Sequence, residues 1–391
     1  MNAPPFDDDA AWSRWQNEWS IREDTIYLNH GSFGPPPDAV RAARQAWQLR
    51  LDSQPMDFYD RRFEEHWLAS RRALADFVGS APENLVFVEN ATTAMNLVAH
   101  NFPLAAGDQV VLSDHEYGAV RRIWERACRR AGTDAPVIAR LPDRFAAAEA
   151  VVEAILAAVT DRTRLLVVSH ITSPTALILP VREICAAARR RHIAVCIDGP
   201  HALVQQPVDI DALGCDFYAA SCHKWLSAPL GSGFLAVHPK HQERFEPALL
   251  SWGRLPPNVP QRWYEEFIWT GTRDPSAYLA VADAIRFIQQ IGAEVFRART
   301  HALAQYAREQ IVALTGREPP VEDSPRWYGS MALAPLPAVD ARQLQRDLWQ
   351  QHGIEVPVID FRGRQHLRVS CHLYNTPRQI DTLVAALRQH L

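Results

Sequence analysis

Short, continuous apolar segments alternate with segments of helical periodicity between about residues 80 and 240. The apolar segments are residues 85–88, 109–112, 164–169, 193–198, 217–220 and 233–237, and the helical ones are 93–101, 119–131, 146–159 and 181–191. Strands that lack a polar face are buried on both sides, as in parallel sheets covered by helices. The alternation therefore predicts an α/β fold with a mostly parallel sheet sandwiched between helices.

The C-terminal third has a different pattern. A helical segment runs over 276–292 and continues after residue 293, and strands are expected near 330–334 and 366–370. The segment 241–275, rich in Pro, Trp and Arg, predicts a long irregular crossing. We predict an N-terminal arm over 1–30 that packs with the small domain, a large domain over 31–275 and a small α+β domain over 276–391.

Charge and composition narrow the possible functions. The 391 residues carry a formal charge of −4, so there is no basic excess to attract nucleic acid. No stretch reaches the ~18 apolar residues of a membrane span, and the N-terminus lacks a signal-peptide pattern. The six cysteines form no C-x-x-C pair, and the histidines show no H-E-x-x-H spacing. We expect a cytoplasmic protein without a metal, a membrane or a nucleic-acid partner.

Lysine is scarce: of 41 basic residues, only Lys224 and Lys240 are lysines. Chemistry that needs a titratable amine has two candidates, because arginine does not readily deprotonate. Lys224 follows a predicted strand in SCHKWLSAPLGSG, an apolar and Gly-rich setting that favours a low pKa and attack on an aldehyde cofactor. Ser221 and His223 flank it as phosphate donors. Most lysines lie in surface loops, and Lys240 fits that alternative.

Two further motifs have polar residues at predicted strand ends. Asp198 closes the strand AVCID, where a carboxylate can pair with a protonated pyridine nitrogen, and His201 is in reach of a ring hydroxyl. Thr92 and Thr93 begin a helix whose N-terminal amides suit a phosphate. Taken alone, each motif is better explained by a capping or turn residue. Together with Lys224, the cofactor interpretation is favoured.

In this order, these motifs resemble the class V aminotransferase branch of fold-type I pyridoxal phosphate (PLP) enzymes, and within it the isopenicillin N epimerase-like proteins. The resemblance covers nearly the whole chain through the strings YLNHGSFG, DHEYGA, SHITSPT, WTGTRD and LRVSCHLYNT. It implies a PLP cofactor, a large domain with a seven-stranded sheet and an amino-acid-type substrate. It also implies a homodimer with shared active sites.

The resemblance also implies roles for individual residues. Lys224 matches the Schiff-base lysine, Asp198 the partner of the pyridinium and His201 the group beside the ring hydroxyl. Phosphate ligands correspond to Thr92, Thr93, Ser221 and His223, and Thr272 matches a residue that reaches the phosphate of the neighbouring subunit. Tyr117 matches the residue stacked on the ring, with a half-buried loop tyrosine as the alternative. Arg368 matches the clamp for the substrate carboxylate, and Asn29, His30 and Ser32 are further candidate substrate contacts.

The reaction itself stays open at this point. Carbanion chemistry begun by Lys224 serves an epimerase or racemase, a C–S β-lyase acting on a cysteine conjugate or sulfoxide, or an aminotransferase. A protein that only binds PLP would not require Asp198. A classical cysteine desulfurase is disfavoured, because residues 353–368 contain no cysteine and Cys371 lies beyond Arg368.

Overall fold

The computed structural model describes residues 4–251 and 260–391. Part of the predicted irregular crossing, residues 252–259, therefore lies outside the described residues. The strands of the described chain are β1 (Ile26–Tyr27), β2 (Leu85–Val88), β3 (Gln109–Ser113), β4 (Val137–Ala139), β5 (Thr163–Ser169), β6 (Ala194–Asp198), β7 (Phe217–Ser221), β8 (Gly233–Val237), β9 (Met331–Pro335), β10 (Ile354–Glu355), β11 (Val358–Phe361) and β12 (Arg364–Ser370).

A sheet of seven described strands forms the centre of the molecule, in the order β2-β8-β7-β6-β5-β3-β4. Strands β4, β3, β5, β6 and β7 run parallel, and β8 is antiparallel to both of its neighbours. Every residue of β2, β3, β7 and β8 is buried, as expected for strands covered on both faces. The predicted mostly parallel, seven-stranded α/β sheet is confirmed.

Helices cover this sheet and the C-terminal part of the chain. In chain order they are α1 (Asp9–Gln16), α2 (Asp38–Ser53), α3 (Phe63–Val78), α4 (Ala91–Asn101), α5 (Gly118–Ala131), α6 (Ala148–Leu156), α7 (Val181–Arg189), α8 (Ile210–Leu213), α9 (Pro239–Gln242), α10 (Glu265–Ile268), α11 (Ser276–Leu279), α12 (Val281–Ile291), α13 (Ala293–Thr315), α14 (Ala341–His352) and α15 (Pro377–His390). Short π- and 3₁₀-helical segments, Asp57–Arg62 and Pro82–Asn84, flank α3. No described helix is both long and apolar enough to cross a membrane.

Two features of the chain differ from the sequence pattern. Strand β4 was not predicted, since it has three residues and only Ala139 is buried, too little for a continuous apolar segment. The helix expected over 276–292 is two helices, α11 and α12, which meet at Ala280. There ψ is −1°, away from the helical value near −42°, so the helical bonding is interrupted.

A second, antiparallel sheet has the order β11-β12-β9 and packs against α13. The N-terminal segment joins this part of the molecule: β1 pairs with β10, and the amide of Ser370 donates to the carbonyl of Leu28. The segment from β1 therefore runs beside the end of β12 before it reaches α2. The domain limits at residues 30 and 275 stay a prediction.

The topology brings several strand ends to one edge of the central sheet. Asp198 is the last residue of β6 and Ser221 the last of β7, while Asn90 follows the end of β2. Since β2, β6 and β7 point the same way, these ends meet at the carboxyl edge. Ligands bind at this edge in open α/β sheets.

Candidate active site

A cavity of about 440 Å³ opens at the carboxyl edge of the central sheet. A larger cavity of about 660 Å³ lies beside Asp216, at the opposite edge, and it holds none of the predicted site residues. The polar residues of the smaller cavity come from the N-terminal segment, the central sheet with its loops, and β12. They are Ser32, Asn90, Thr92, Tyr117, Ser173, Asp198, His201, Ser221, His223, Lys224 and Arg368.

Lys224 lies in the tight turn after β7, where the amide of Ser227 donates to its carbonyl. Removal from water lowers the pKa of its ammonium to about 8, and the positive charge of Arg368 acts in the same direction. The carboxylate of Asp198 opposes this shift. A lysine with this pKa carries a substantial fraction of free amine near neutral pH, as a nucleophile for an aldehyde requires.

Asp198 is only 5% exposed and belongs to the wall of the cavity. Burial raises the pKa of its carboxyl group to about 6, although the charge of Lys224 pulls it down. No hydrogen bond from any described residue reaches its carboxylate oxygens. A buried carboxylate without a donor is costly, so this side chain fits a cationic N–H group supplied from outside the protein, such as a protonated pyridine ring.

His201 sits between the lysine and the protein interior. Its Nε2 lies 3.1 Å from Nζ of Lys224, and its Nδ1 lies 3.3 Å from the indole nitrogen of Trp225. Burial and the charges of Lys224 and Arg368 hold its pKa well below the usual value near 6.5. The imidazole is therefore neutral at physiological pH.

A cradle for an anion lies where α4 meets the turn after β7. Asn90 is the N-cap of α4 and accepts from the amide of Thr93 at 2.9 Å, while Ser221 Oγ accepts from the amide of Ala91 at 2.9 Å. The hydroxyl proton of Ser221 is left for another acceptor, and Thr92 lies in the cavity wall. His223 adds a buried Nδ1 that has no protein partner. These groups fit a phosphate.

The structure separates the two predicted threonines. Thr92 lies in the cavity wall, whereas Thr93 lies outside it, with both its amide and its hydroxyl directed to Asn90. The residue that caps the helix is Asn90, which we did not predict. Its position before the first helical residue and the preference of asparagine for N-caps were the available signal.

Arg368 extends from β12 into the same cavity and is 5% exposed. Its guanidinium donates to the carbonyl of Ser173 and to Ser32 Oγ at 3.0 Å, and it lies 3.4 Å from Oδ1 of Asn29. Its Nε is buried without a protein partner. Burial lowers the pKa to about 10, which leaves the group charged at neutral pH. A fixed guanidinium with a spare donor suits a carboxylate.

The three candidate contacts in the N-terminal segment have different environments. Ser32 lies in the cavity wall. Asn29 does not line the cavity, and its Oδ1 contacts the guanidinium of Arg368. His30 is completely buried, and its ring nitrogens contact the hydroxyl of Tyr374 and the carbonyl of Lys224, both at 3.0 Å. Its side chain is not part of the cavity wall, so this structure places it as a support for the turn of Lys224.

Tyr117 lies directly before α5, at the mouth of the cavity, and is 51% exposed. A ring at this position is available for stacking on a flat ligand. Thr272 is exposed and is not among the residues that line the cavity. Its predicted contact belongs to a neighbouring subunit and stays a prediction. No group of acidic, histidine or cysteine residues suited to a metal occurs in the described chain.

Comparison with known proteins identifies the family of this chain. Residues 56–383 match the family model described as aminotransferase class-V. The chain belongs to this family. It is 36% identical to the isopenicillin N epimerase of Streptomyces clavuligerus, over 97% of this chain and 98% of that one. It is 38% identical to the enzyme of the same name from Amycolatopsis lactamdurans, over the same shares. The predicted family is confirmed, and with it the PLP cofactor.

More distant similarities lie within the same fold. A putative L-cysteine desulfhydrase 2 of Oryza sativa is 32% identical over 85% of this chain and 73% of its own length. The structure of a cysteine desulfurase from Thermococcus onnurineus superposes with a TM-score of 0.82, at 20% identity, over 100% of this chain and 98% of that one. At this identity the superposition supports the fold alone, and the predicted fold class is confirmed.

Proposed function

We propose that the protein is a PLP-dependent epimerase or racemase that acts at the α-carbon of an amino-acid-type substrate. One observation carries this proposal: a single cavity combines the amine of Lys224, the unpartnered carboxylate of Asp198 and the guanidinium of Arg368. The two isopenicillin N epimerases, similar over nearly their full length, favour this reaction over others of the family.

PLP, when bound, supplies an electron sink for the pair of electrons left at the α-carbon after proton removal. Lys224 would hold the cofactor covalently, and its free amine would take the α-proton on one face of the substrate; inversion then requires that a proton returns to the α-carbon from the opposite face. Asp198 would keep the ring nitrogen protonated. Arg368 fixes the substrate carboxylate and thereby determines which bond at the α-carbon faces the lysine.

The phosphate of the cofactor is assigned to the cradle formed by Thr92, Ser221 and His223 with the N-terminus of α4. Tyr117 is proposed to cover the ring at the mouth of the cavity. Both groups would orient the cofactor toward Lys224 and limit its contact with solvent.

A second candidate function is a C–S β-lyase, which the similarity to the L-cysteine desulfhydrase favours. Both reactions begin with removal of the α-proton, and they differ in whether a leaving group is expelled. A desulfurase that forms a protein persulfide is disfavoured by the geometry. All six cysteines are buried, and burial raises the pKa of Cys371 to about 12.

The test is incubation of the PLP-loaded protein in deuterated water with isopenicillin N and, separately, with L-cysteine. An epimerase yields the inverted diastereomer with deuterium at the α-carbon and releases neither pyruvate nor ammonia. Stoichiometric pyruvate, ammonia and sulfide from cysteine, without inversion of isopenicillin N, would reject the epimerase in favour of the lyase. Lys224→Ala is the matched inactive control.

A further inference from the structure

The indole of Trp225 determines which nitrogen of His201 carries the proton. Trp225 is completely buried, and its Nε1 lies 3.3 Å from Nδ1 of His201. An indole N–H only donates. Nδ1 of His201 must therefore accept, and in the neutral imidazole the single proton resides on Nε2.

This tautomer has a consequence for Lys224. Nε2 of His201 lies 3.1 Å from Nζ of the lysine. When Nε2 carries a proton, Nζ must accept it through a lone pair, which only an uncharged amine possesses. An ammonium at this position would bring two donors face to face.

We propose that Trp225 is a positioning residue that, through the tautomer of His201, holds Lys224 as a free amine. The inference rests on the proposed role of Lys224 as the residue that binds the cofactor. The same Nε2 proton is then available to the ring oxygen of a bound cofactor.

Other titratable and charged groups lie near Lys224 and His201, and some of them shift the pKa of the lysine. Arg368 lowers the pKa of the lysine, Asp198 raises it, and burial disfavours the charged form. His223 is uncharged at neutral pH, because burial and the charge of Lys224 lower its pKa to about 4. On the far side of the turn, His30 is neutral as well, and its contact with Lys224 is to the backbone carbonyl and not to the amine. Among these neighbours, none besides Trp225 contacts Nδ1 of His201.

The tautomer can be measured in the unmodified apoprotein. Nitrogen-15 NMR of histidine-labelled protein distinguishes a protonated from an unprotonated ring nitrogen. We expect His201 to show an unprotonated Nδ1 and a protonated Nε2 between pH 6 and 8. A protonated Nδ1 would overturn the proposal, and this measurement does not depend on the folding of any variant.

The effect on the lysine can be measured directly, because the chain has only two lysines. Apoprotein labelled with carbon-13 at lysine Cε gives two side-chain signals, and Lys240 serves as the internal control. In Trp225→Phe the imidazole is free to adopt the other tautomer and to accept from an ammonium. We expect the titration midpoint of Lys224 to rise by about one pH unit, with Lys240 unchanged.

A double-mutant comparison distinguishes an effect of Trp225 through the tautomer of His201 from an effect of altered packing. In a His201→Leu background, Trp225→Phe should leave the midpoint of Lys224 where the single variant His201→Leu puts it. An unchanged midpoint in Trp225→Phe, or an equal shift with and without His201, would contradict the proposal. These titrations use apoprotein, so their result does not depend on the proposed function. If the proposed function is wrong, Lys224 fails to bind PLP, which is a separate measurement.

Discussion

Arg362, at the turn of the β11–β12 hairpin, forms an ion pair with Asp114, the residue that follows β3. Nε donates to Oδ2 of Asp114 at 3.1 Å, and the guanidinium also reaches Asp143 and the carbonyl of Leu141. Arg362 has a φ of +53°, a conformation that L-residues avoid, so the surrounding contacts must hold it. The pair joins the strand of Arg368 to the loop that ends at Tyr117.

Removal of this pair is expected to weaken substrate binding more than turnover. In Arg362→Ala the hairpin loses its ion pair with Asp114 and keeps the contact between the rings of Phe361 and His115, so the two sides of the cavity are fixed less firmly relative to each other. We expect KM to rise by about three- to tenfold with a smaller change in kcat. Arg364→Ala, an exposed arginine of the same hairpin, is the matched control. Equal KM values in both variants would contradict this role.

Arg368→Ala should reduce kcat/KM by about 100-fold, because a buried, charge-assisted contact to the substrate carboxylate is lost. The visible absorbance of the lysine-bound cofactor should remain, since the guanidinium has no assigned contact with PLP. Absorbance spectra and steady-state kinetics on the same preparation test both statements. Loss of the cofactor band would mean that the arginine holds the cofactor and not the substrate.

Asp198→Asn should retain some cofactor and lose activity by about two orders of magnitude or more. The amide cannot stabilise a protonated pyridine nitrogen, so the ring becomes a poorer electron sink. Asp211→Asn, an exposed aspartate on α8, is the control and should behave as the wild type. Near-normal turnover of Asp198→Asn would remove the assigned role of this carboxylate.

The stability of the folded state depends on pH through Glu116. This residue is buried, it accepts from the amide of Ser169 at 3.0 Å and contacts Ser113 Oγ, and burial raises its pKa from 4.5 to about 7. The folded state thus holds this proton more tightly than the unfolded chain does. The wild type should therefore lose stability relative to Glu116→Gln as the pH rises from about 4.5 through 7.

Thermal unfolding of both apoproteins between pH 4.5 and 8 measures this difference. Glu309→Gln, at an exposed position on α13, is the control for the loss of one carboxylate. A difference between the wild type and Glu116→Gln that does not change with pH would show that burial does not raise the pKa of Glu116.

Several elements could be predicted from the sequence because their signals are local. Strands β2 and β8 were predicted with their observed limits, since uninterrupted apolar residues define both ends. Lys224 and Asp198 were found from chemistry at strand ends, and the scarcity of lysine left little choice. The assigned roles of these residues remain proposals that the variants above test.

Other features depend on contacts between distant parts of the chain. The support of Lys224 by His30 joins residues 194 positions apart, and the pair of Arg362 and Asp114 joins residues 248 positions apart. Neither hydrophobic periodicity nor a sequence motif indicates contacts between such distant residues. The carbonyl of Ser173 accepts a hydrogen bond from Arg368. This contact was missed because every residue has a backbone carbonyl, so the residue type does not indicate it.

Borohydride reduction of the protein after loading with PLP, followed by peptide mass spectrometry, tests most directly whether Lys224 binds the cofactor. With only two lysines in the chain, the site of attachment is unambiguous. We expect one phosphopyridoxyl group on the peptide that contains Lys224 and none on the peptide that contains Lys240. A colourless protein without an adduct, or an adduct on Lys240 alone, would contradict this expectation.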